Sequence, residues 1–163
     1  MQKKVITGIA IAAFALLLWP VIAKIGSKGD ITSMTGNAVM YDGDVTFYRS
    51  QSCGCCGLYL DYLKGRGKLN VNEVQMDDLT DIKSEKGVPA DLQSCHTSII
   101  GKYFIEGHVP LEAINKLLAE QPDIKGLAIG MPSGAPGMPG GKKTPFIIYA
   151  VNNDGSTEEY LTL

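Results

Sequence analysis

Three of the four cysteines in this 163-residue chain fall within four positions, as Cys53, Cys55 and Cys56 in the run S-C-G-C-C-G. The fourth, Cys95, stands beside His96 in S-C-H-T, and the other histidine, His108, follows in E-G-H-V-P. These six are every Cys and His in the sequence. Thiolates are soft donors that select Cu(I), Zn(II) or iron–sulfur clusters over hard ions, and three so close together repel one another unless a cation neutralises them. Cys53 and Cys56 also have the C-x-x-C spacing of dithiol exchange, a chemistry that does not require Cys55. Further on, G-M-P-S-G-A-P-G-M supplies the thioethers of Met131 and Met138. Thioethers suit Cu(I) where free thiols are vulnerable to oxidation, although loop methionines also fold over cores for packing alone.

Competing explanations exist for each of these residues. Cys95 is a metal ligand, a small buried hydrophobe or the disulfide partner of a cluster cysteine. His96 and His108 are ligands or ordinary hydrogen-bonding residues. Tyr59 and Tyr62 read as packing residues. Asp77, Asp78 and Asp81 read as helix-capping charge, since a hard-metal site has no other support here.

The elements that must position these side chains follow from periodicity. Val45, Phe47 and Tyr48 lie in a β-prone run ending at Ser50, a first strand. A helix starting at the cysteines puts Cys53, Cys56, Leu60 and Leu63 on one face, and its free N-terminal amides and dipole favour thiolate over thiol. Asn70 to Met76 suits a second strand, completing a βαβ unit. Asp77 and Asp78 can cap a short helix carrying Leu79 and Ile82, stopped by Gly87 and Val88-Pro89. Ser98 to Ile105 reads as a third strand, apolar on both faces. Pro110 opens an amphipathic helix with Leu111, Ile114, Leu117 and Leu118 on its buried stripe. Gly126 to Lys143 reads as an irregular loop, and Phe146 to Val151 and Thr157 to Leu163 flank a hairpin turn at Asp154-Gly155.

This order, with cysteines where the first strand meets the first helix, points to a thioredoxin-like α/β fold: a βαβ unit, further helices and a strand, and a C-terminal β-hairpin. It also sets a geometric problem. Eight strand residues span ~26 Å, so either Cys95-His96 or His108 can approach the cysteine helix, and both can do so only if the loops fold back. Adjacent side chains diverge in a strand, so a turn is needed for Cys95 and His96 to bind together.

Ahead of this domain, Met1 to Lys4 is short and basic, and Val5 to Ala23 is an uncharged run of 19 residues. At 1.5 Å per residue that run covers about 28 Å, close to the hydrocarbon core of a bilayer. Residues 1–25 are therefore expected to form a signal or membrane-anchor helix, residues 26–43 a linker, and residues 44–163 one domain. Pro20 and Lys24 make a poor cleavage site, favouring a retained anchor. Retained or cleaved, the leader directs the domain outside the cytoplasm, to the periplasm or the cell exterior. The formal net charge is −2. Without Lys3 and Lys4, 13 basic residues face 17 acidic ones and do not cluster, unlike the footprint of a nucleic-acid binder.

In order and spacing, C-G-C-C, S-C-H-T, E-G-H-V-P and G-M-P-S-G-A-P-G-M resemble a bacterial and archaeal family of small metal-binding proteins, best known through the CopG-type copper-resistance proteins. The resemblance covers roughly Val45 to Tyr149. It implies a thioredoxin-like fold, an extracytoplasmic location and a cysteine-bound copper centre of a multinuclear, redox-active kind. By position, Cys53, Cys55, Cys56 and Cys95 would be the ligands, with His96, His108, Met131 and Met138 as further candidates. Relatives commonly continue C-G-C-C-x-x-W and then place a His on the same helix. Here Tyr59 and Tyr62 hold those places, so any role of that histidine is missing.

The primary expectation is thus an extracytoplasmic protein that sequesters or relays Cu(I), with copper-transport or chaperone proteins as exchange partners and no enzymatic role required. Two others remain open: a membrane-tethered thiol–disulfide oxidoreductase using Cys53 and Cys56, for which Pro89 or Pro110 would serve as the cis-proline facing the dithiol, and a zinc-binding module.

Overall fold

The computed structural model describes residues 41–163. The expected leader helix, and all of the expected linker up to residue 40, lie outside the described residues. Among the described residues no helix is long and apolar enough to cross a membrane.

Seven strands form one mixed sheet in the order β2-β1-β3-β4-β5-β6-β7. They are β1 Asp44–Ser50, β2 Asn70–Met76, β3 His96–Ile100, β4 Tyr103–Glu106, β5 Ile124–Ala128, β6 Ile147–Asn152 and β7 Thr157–Thr162. Three α-helices accompany them: α1 Gly54–Gly65, α2 Thr80–Lys86 and α3 Leu111–Glu120. The β1–β2 and β4–β5 pairs are parallel and the other neighbours antiparallel.

One face of the sheet carries the larger core. Cys56, Tyr59, Leu60 and Leu63 of α1 and Ala113, Ile114, Leu117 and Leu118 of α3 pack there against Val45, Phe47, Ile105, Leu127 and Ile148. These side chains recur at helical spacing on the helices and at alternate positions along each strand, so one stripe and one face are buried. Each fully buried Leu or Ile contributes about 1.5–3 kcal/mol relative to exposure, so α1 is anchored by the same face that carries Cys56. On the opposite face Val88, Phe104, Ala128 and Val151 form a smaller cluster.

Two expectations are corrected. The stretch Ser98 to Ile105 is not one strand but a hairpin: Ile100 pairs with Tyr103, leaving Gly101 and Lys102 as a two-residue loop. Gly101 has φ +59°, the left-handed conformation that two-residue hairpin loops demand and that glycine takes without a Cβ clash. The apolar run hid the turn because both arms are buried on both faces. The loop expected over Gly126 to Lys143 begins three residues later, because Gly126, Leu127 and Ala128 continue β5 alongside β4. Gly126 interrupts the β-prone pattern, and pairing with β4 outweighs its low strand propensity.

Candidate metal centre

The sulfur pocket is assembled where α1 begins and where the β3–β4 hairpin opens. Cys53 precedes the first turn of α1 in an extended conformation, so the next residues turn their side chains around the helix start. Cys56 is fully buried on the core face, and Cys53 and Cys55 are half-buried beside it. The hairpin brings the other donors. Thr97 pairs with Glu106, which sets His96 next to the Gly107-His108 segment and removes the 26 Å separation that a continuous strand would impose. Cys95 lies just ahead of β3, where the chain turns, so its sulfur reaches the same pocket as the His96 ring at 3.9 Å from Nδ1.

All four sulfurs lie within 4.8 Å of one another. Cys53 and Cys56 are joined as a disulfide, with Cys55 and Cys95 as free thiols. The proposed pairing of Cys95 with a cluster cysteine is therefore not the one observed. Cys95 Sγ sits 3.0 Å from Cys53 Sγ and 3.2 Å from Cys56 Sγ, and Cys55 Sγ is 3.5 Å from Cys53 Sγ. Disulfide sulfurs have no proton to donate, so the contacts among Cys53, Cys56 and Cys95 are sulfur packing or weak acceptance of the Cys95 thiol.

With the disulfide reduced and its thiols deprotonated, this pocket would need a cation. Two unit charges about 4 Å apart repel by roughly 4 kcal/mol at an effective dielectric near 20, so four adjacent thiolates cannot persist alone. Accordingly, burial and then the neighbouring Cys55 push the Cys95 thiol up to about 11. A bound metal must displace that proton, which makes affinity pH-dependent.

Both histidines present an unprotonated nitrogen. A carbonyl oxygen only accepts, so the 3.0 Å contact of His96 Nε2 with Gly107 O assigns the proton to Nε2. Nδ1 is left as a lone pair 3.5 Å from Cys56 Sγ. Burial, and then His108, push the His96 imidazole down to about 3, against the opposing pull of the Gly107 carbonyl. It stays neutral, the form in which imidazole ligates metals. Likewise His108 Nδ1 donates to Pro136 O at 2.6 Å, leaving Nε2 buried without any hydrogen-bond partner, and burial lowers the pKa of this ring too. A buried polar atom left unpaired calls for a partner. The ligand atoms of Cys95, His96 and His108 lie within 4.8 Å of one another, a second donor set sharing Cys95 with the first.

Aromatic rings hold this arrangement. His96 stacks on Phe47 at 4.9 Å, Tyr59 lies 5.0 Å from each imidazole, and the two imidazoles meet edge-on at 4.8 Å. Tyr59 Oη donates to Val109 O at 2.7 Å, and Tyr62 Oη accepts the Leu111 N–H at 2.8 Å, tying α1 to the start of α3. Both tyrosines are therefore structural, as their spacing suggested. Met131 is 55% exposed on the loop, whereas Met138 packs against the core. Nothing in the sequence marked the Gly107 and Pro136 carbonyls, because backbone acceptors leave no residue signature.

The family described as "Protein of unknown function, DUF411" matches residues 92–138, the span holding Cys95, His96 and His108. No curated protein matches the chain. Two solved structures do, described as "Copper resistance protein copG", forms 1 and 2. Each is 34% identical and covers 74% of this chain, which spans 96% and 97% of theirs, with TM-scores of 0.67 and 0.68. The chain belongs to the CopG-type copper-resistance family. In this CopG-family member the C-G-C-C run lies outside the DUF411 span, yet folding places its sulfurs against Cys95. Once the Cys53–Cys56 disulfide is reduced, four soft sulfurs and two neutral imidazoles are a donor set that copper fits.

Proposed function

We propose that this protein sequesters or relays copper as Cu(I) outside the cytoplasm, holding more than one ion between the α1 thiolates and the β3–β4 hairpin. The observation that carries this is the pair of overlapping donor sets, Cys53/Cys55/Cys56/Cys95 and Cys95/His96/His108, joined through Cys95. A shared thiolate bridges two soft ions, whereas a structural zinc site closes with four ligands of its own. Family membership supports copper as the cargo, and the uncharged run from Val5 to Ala23 supports an extracytoplasmic, membrane-tethered location. The thioredoxin-like assignment is supported by the parallel β1–α1–β2 unit followed by the β3–β4 hairpin and α3.

In this scheme the disulfide form holds two thiols and the reduced form four. Reduction of Cys53–Cys56 takes up two electrons and two protons, and loading then releases protons as thiolates meet Cu(I). In the reverse sense, two Cu(II) ions oxidise the dithiol to the disulfide, releasing its two protons and becoming two Cu(I), and an external dithiol reductant that is itself oxidised to a disulfide would restore the four-thiol form. Met138, and Met131 at the surface, are further thioether donors for copper in transit.

Anaerobic titration of the fully reduced protein with Cu(I), against a chromophoric competitor, tests the proposal. More than one tightly held copper per chain is expected; preference for a single Zn(II) in direct competition overturns it.

The Cys53–Cys56 disulfide at a helix start favours one rival, a thiol–disulfide oxidoreductase. One feature counts against it. Pro89 and Pro110 are both trans, since the described residues contain no cis peptide bond. Insulin reduction abolished by Cys53→Ser or Cys56→Ser but untouched by Cys55→Ser would install this rival instead.

A further inference from the structure

Directly behind the metal-donor turn lies a buried cluster of hard polar groups. Lys83 of α2 is 4% exposed and Glu106 of β4 is fully buried. The Glu106 carboxylate receives the Lys83 ammonium, the Ser94 N–H at 2.5 Å and the Ser94 Oγ–H at 2.8 Å on Oε1, and the Thr97 hydroxyl at 2.6 Å on Oε2. Lys83 Nζ also donates to Thr97 Oγ1 at 2.9 Å. Ser94 and Thr97 flank the two donors in S-C-H-T, and Glu106 opens E-G-H-V-P. The network therefore consists of the polar motif residues that are not themselves metal-donor candidates, together with one lysine.

A buried ion pair is a weak device for stability, since apolar residues of similar volume often replace one without loss. What this pair does mechanically is specific. The β1–β3 ladder ends at the Arg49–His96 pair, so strand pairing does not hold the backbone of Cys95. The two Ser94 bonds to Glu106 do, while the Ser94 hydroxyl oxygen also accepts the His96 N–H at 3.4 Å and has the His96 carbonyl at 3.0 Å as a competing acceptor for its one proton. Successive residues of β3 face opposite sides of the sheet: His96 faces Phe47 and Tyr59, Thr97 faces Lys83. A carboxylate on the far face thus anchors the turn from which Cys95 and His96 reach the near face.

We propose that Glu106, held by Lys83, is a positioning residue: it fixes the Ser94-Cys95-His96 turn and so sets where Cys95 Sγ and His96 Nδ1 stand against the α1 thiols. Its relevance to copper rests on the function proposed above. Its effect on Cys95 does not.

The test uses the double variant Lys83→Met/Glu106→Leu, which replaces the pair by apolar residues of similar size, and Ser94→Ala, which leaves the ion pair in place and removes one of the turn's two bonds to it together with the Ser94 hydroxyl contacts to His96. The first measurement is the alkylation rate of Cys95 relative to Cys55 in reduced, metal-free protein, read by mass spectrometry. The ratio is expected to rise roughly threefold or more in the double variant, and less in Ser94→Ala, as the turn opens locally. The second is Cu(I) competition, expected to weaken on the order of 10- to 100-fold in the double variant, as when groups that orient a ligand are removed. Folded variants with wild-type ratio and affinity overturn the proposal, as does an equal rise at Cys55 and Cys95, which would mean general loosening. If the double variant does not fold, an unchanged ratio in Ser94→Ala overturns it alone. A wild-type protein that binds no copper would sink the proposed function, while the alkylation ratio would still decide the role of Glu106.

Discussion

On the α1 side of the pocket, Cys53, Cys55 and Cys56 come from four consecutive positions at a helix start, and two of them are already bonded to each other. On the hairpin side, Cys95, His96 and His108 come from the two open ends of β3 and β4. Each imidazole there donates to a named carbonyl, Gly107 O or Pro136 O. The α1 donors are close because they are neighbours in sequence, so their proximity survives loss of the fold. The hairpin donors are close only while the hairpin, its turn and its hydrogen bonds persist. On the proposed function, this contrast would make copper capacity depend on the redox state of the first group and on the geometry of the second.

Removing the sulfur that joins the two sides should have the largest effect. Cys95→Ser is expected to lower Cu(I) affinity by about 100-fold or more, exceeding the loss seen for supporting residues alone, and to reduce the copper count per chain. Competition titration checks this, and a variant that keeps wild-type stoichiometry breaks the idea of a shared bridge. Next comes the hairpin end. Gly107 has φ +79°, and a Cβ there would fall 2.5 Å from Ile129 O. Gly107→Ala should therefore cost roughly 1–3 kcal/mol of stability and disturb the carbonyl that orients His96. The measurements are chemical denaturation and, separately, copper affinity; loss of both sharpens the comparison, because no equivalent change at Gly54, where a Cβ meets open space, should affect either.

Acid should weaken the hairpin side selectively. The unfolded imidazole of His96 binds a proton below about 6.5, the folded one only near 3. The unfolded chain thus takes up more protons in that window, so stability is full above 6.5 and falls as pH drops toward 3, by up to about 1.4 kcal/mol per pH unit for this residue. His108 shifts in the same direction. In the metal-free protein the melting temperature should already decline between pH 6.5 and 5, before carboxylates titrate. A flat profile there would remove the case for neutral, buried imidazoles. The smallest effect is expected at Tyr62→Phe, which leaves the Leu111 N–H without its acceptor and should cost about 1 kcal/mol with copper affinity unchanged.

The order of elements was legible from periodicity over most of the domain. β1, α1, β2, α2, α3 and the C-terminal hairpin stand where the spacing of apolar residues put them. β5 was missed because Gly126 interrupts a short strand. The β3–β4 turn was missed because I-I-G-K-Y-F is apolar on both sides of its only break, and the Gly101-Lys102 pair was the one available signal. Lys83 and Glu106 were invisible as partners, since charged residues 23 positions apart read as solvated until burial pairs them.

By itself the sequence determined the chemistry: which atoms are soft donors, and that three of them lie together at a helix start. Residue type and short spacing are local properties, and local properties survive in a one-dimensional string. Only the tertiary structure decided that Cys95 meets the trio, that both histidines reach Cys95, and that each turns an unprotonated nitrogen inward. Those outcomes depend on a two-residue turn, a strand register and backbone carbonyls supplied from distant parts of the chain, none of which is encoded at the residues that use them.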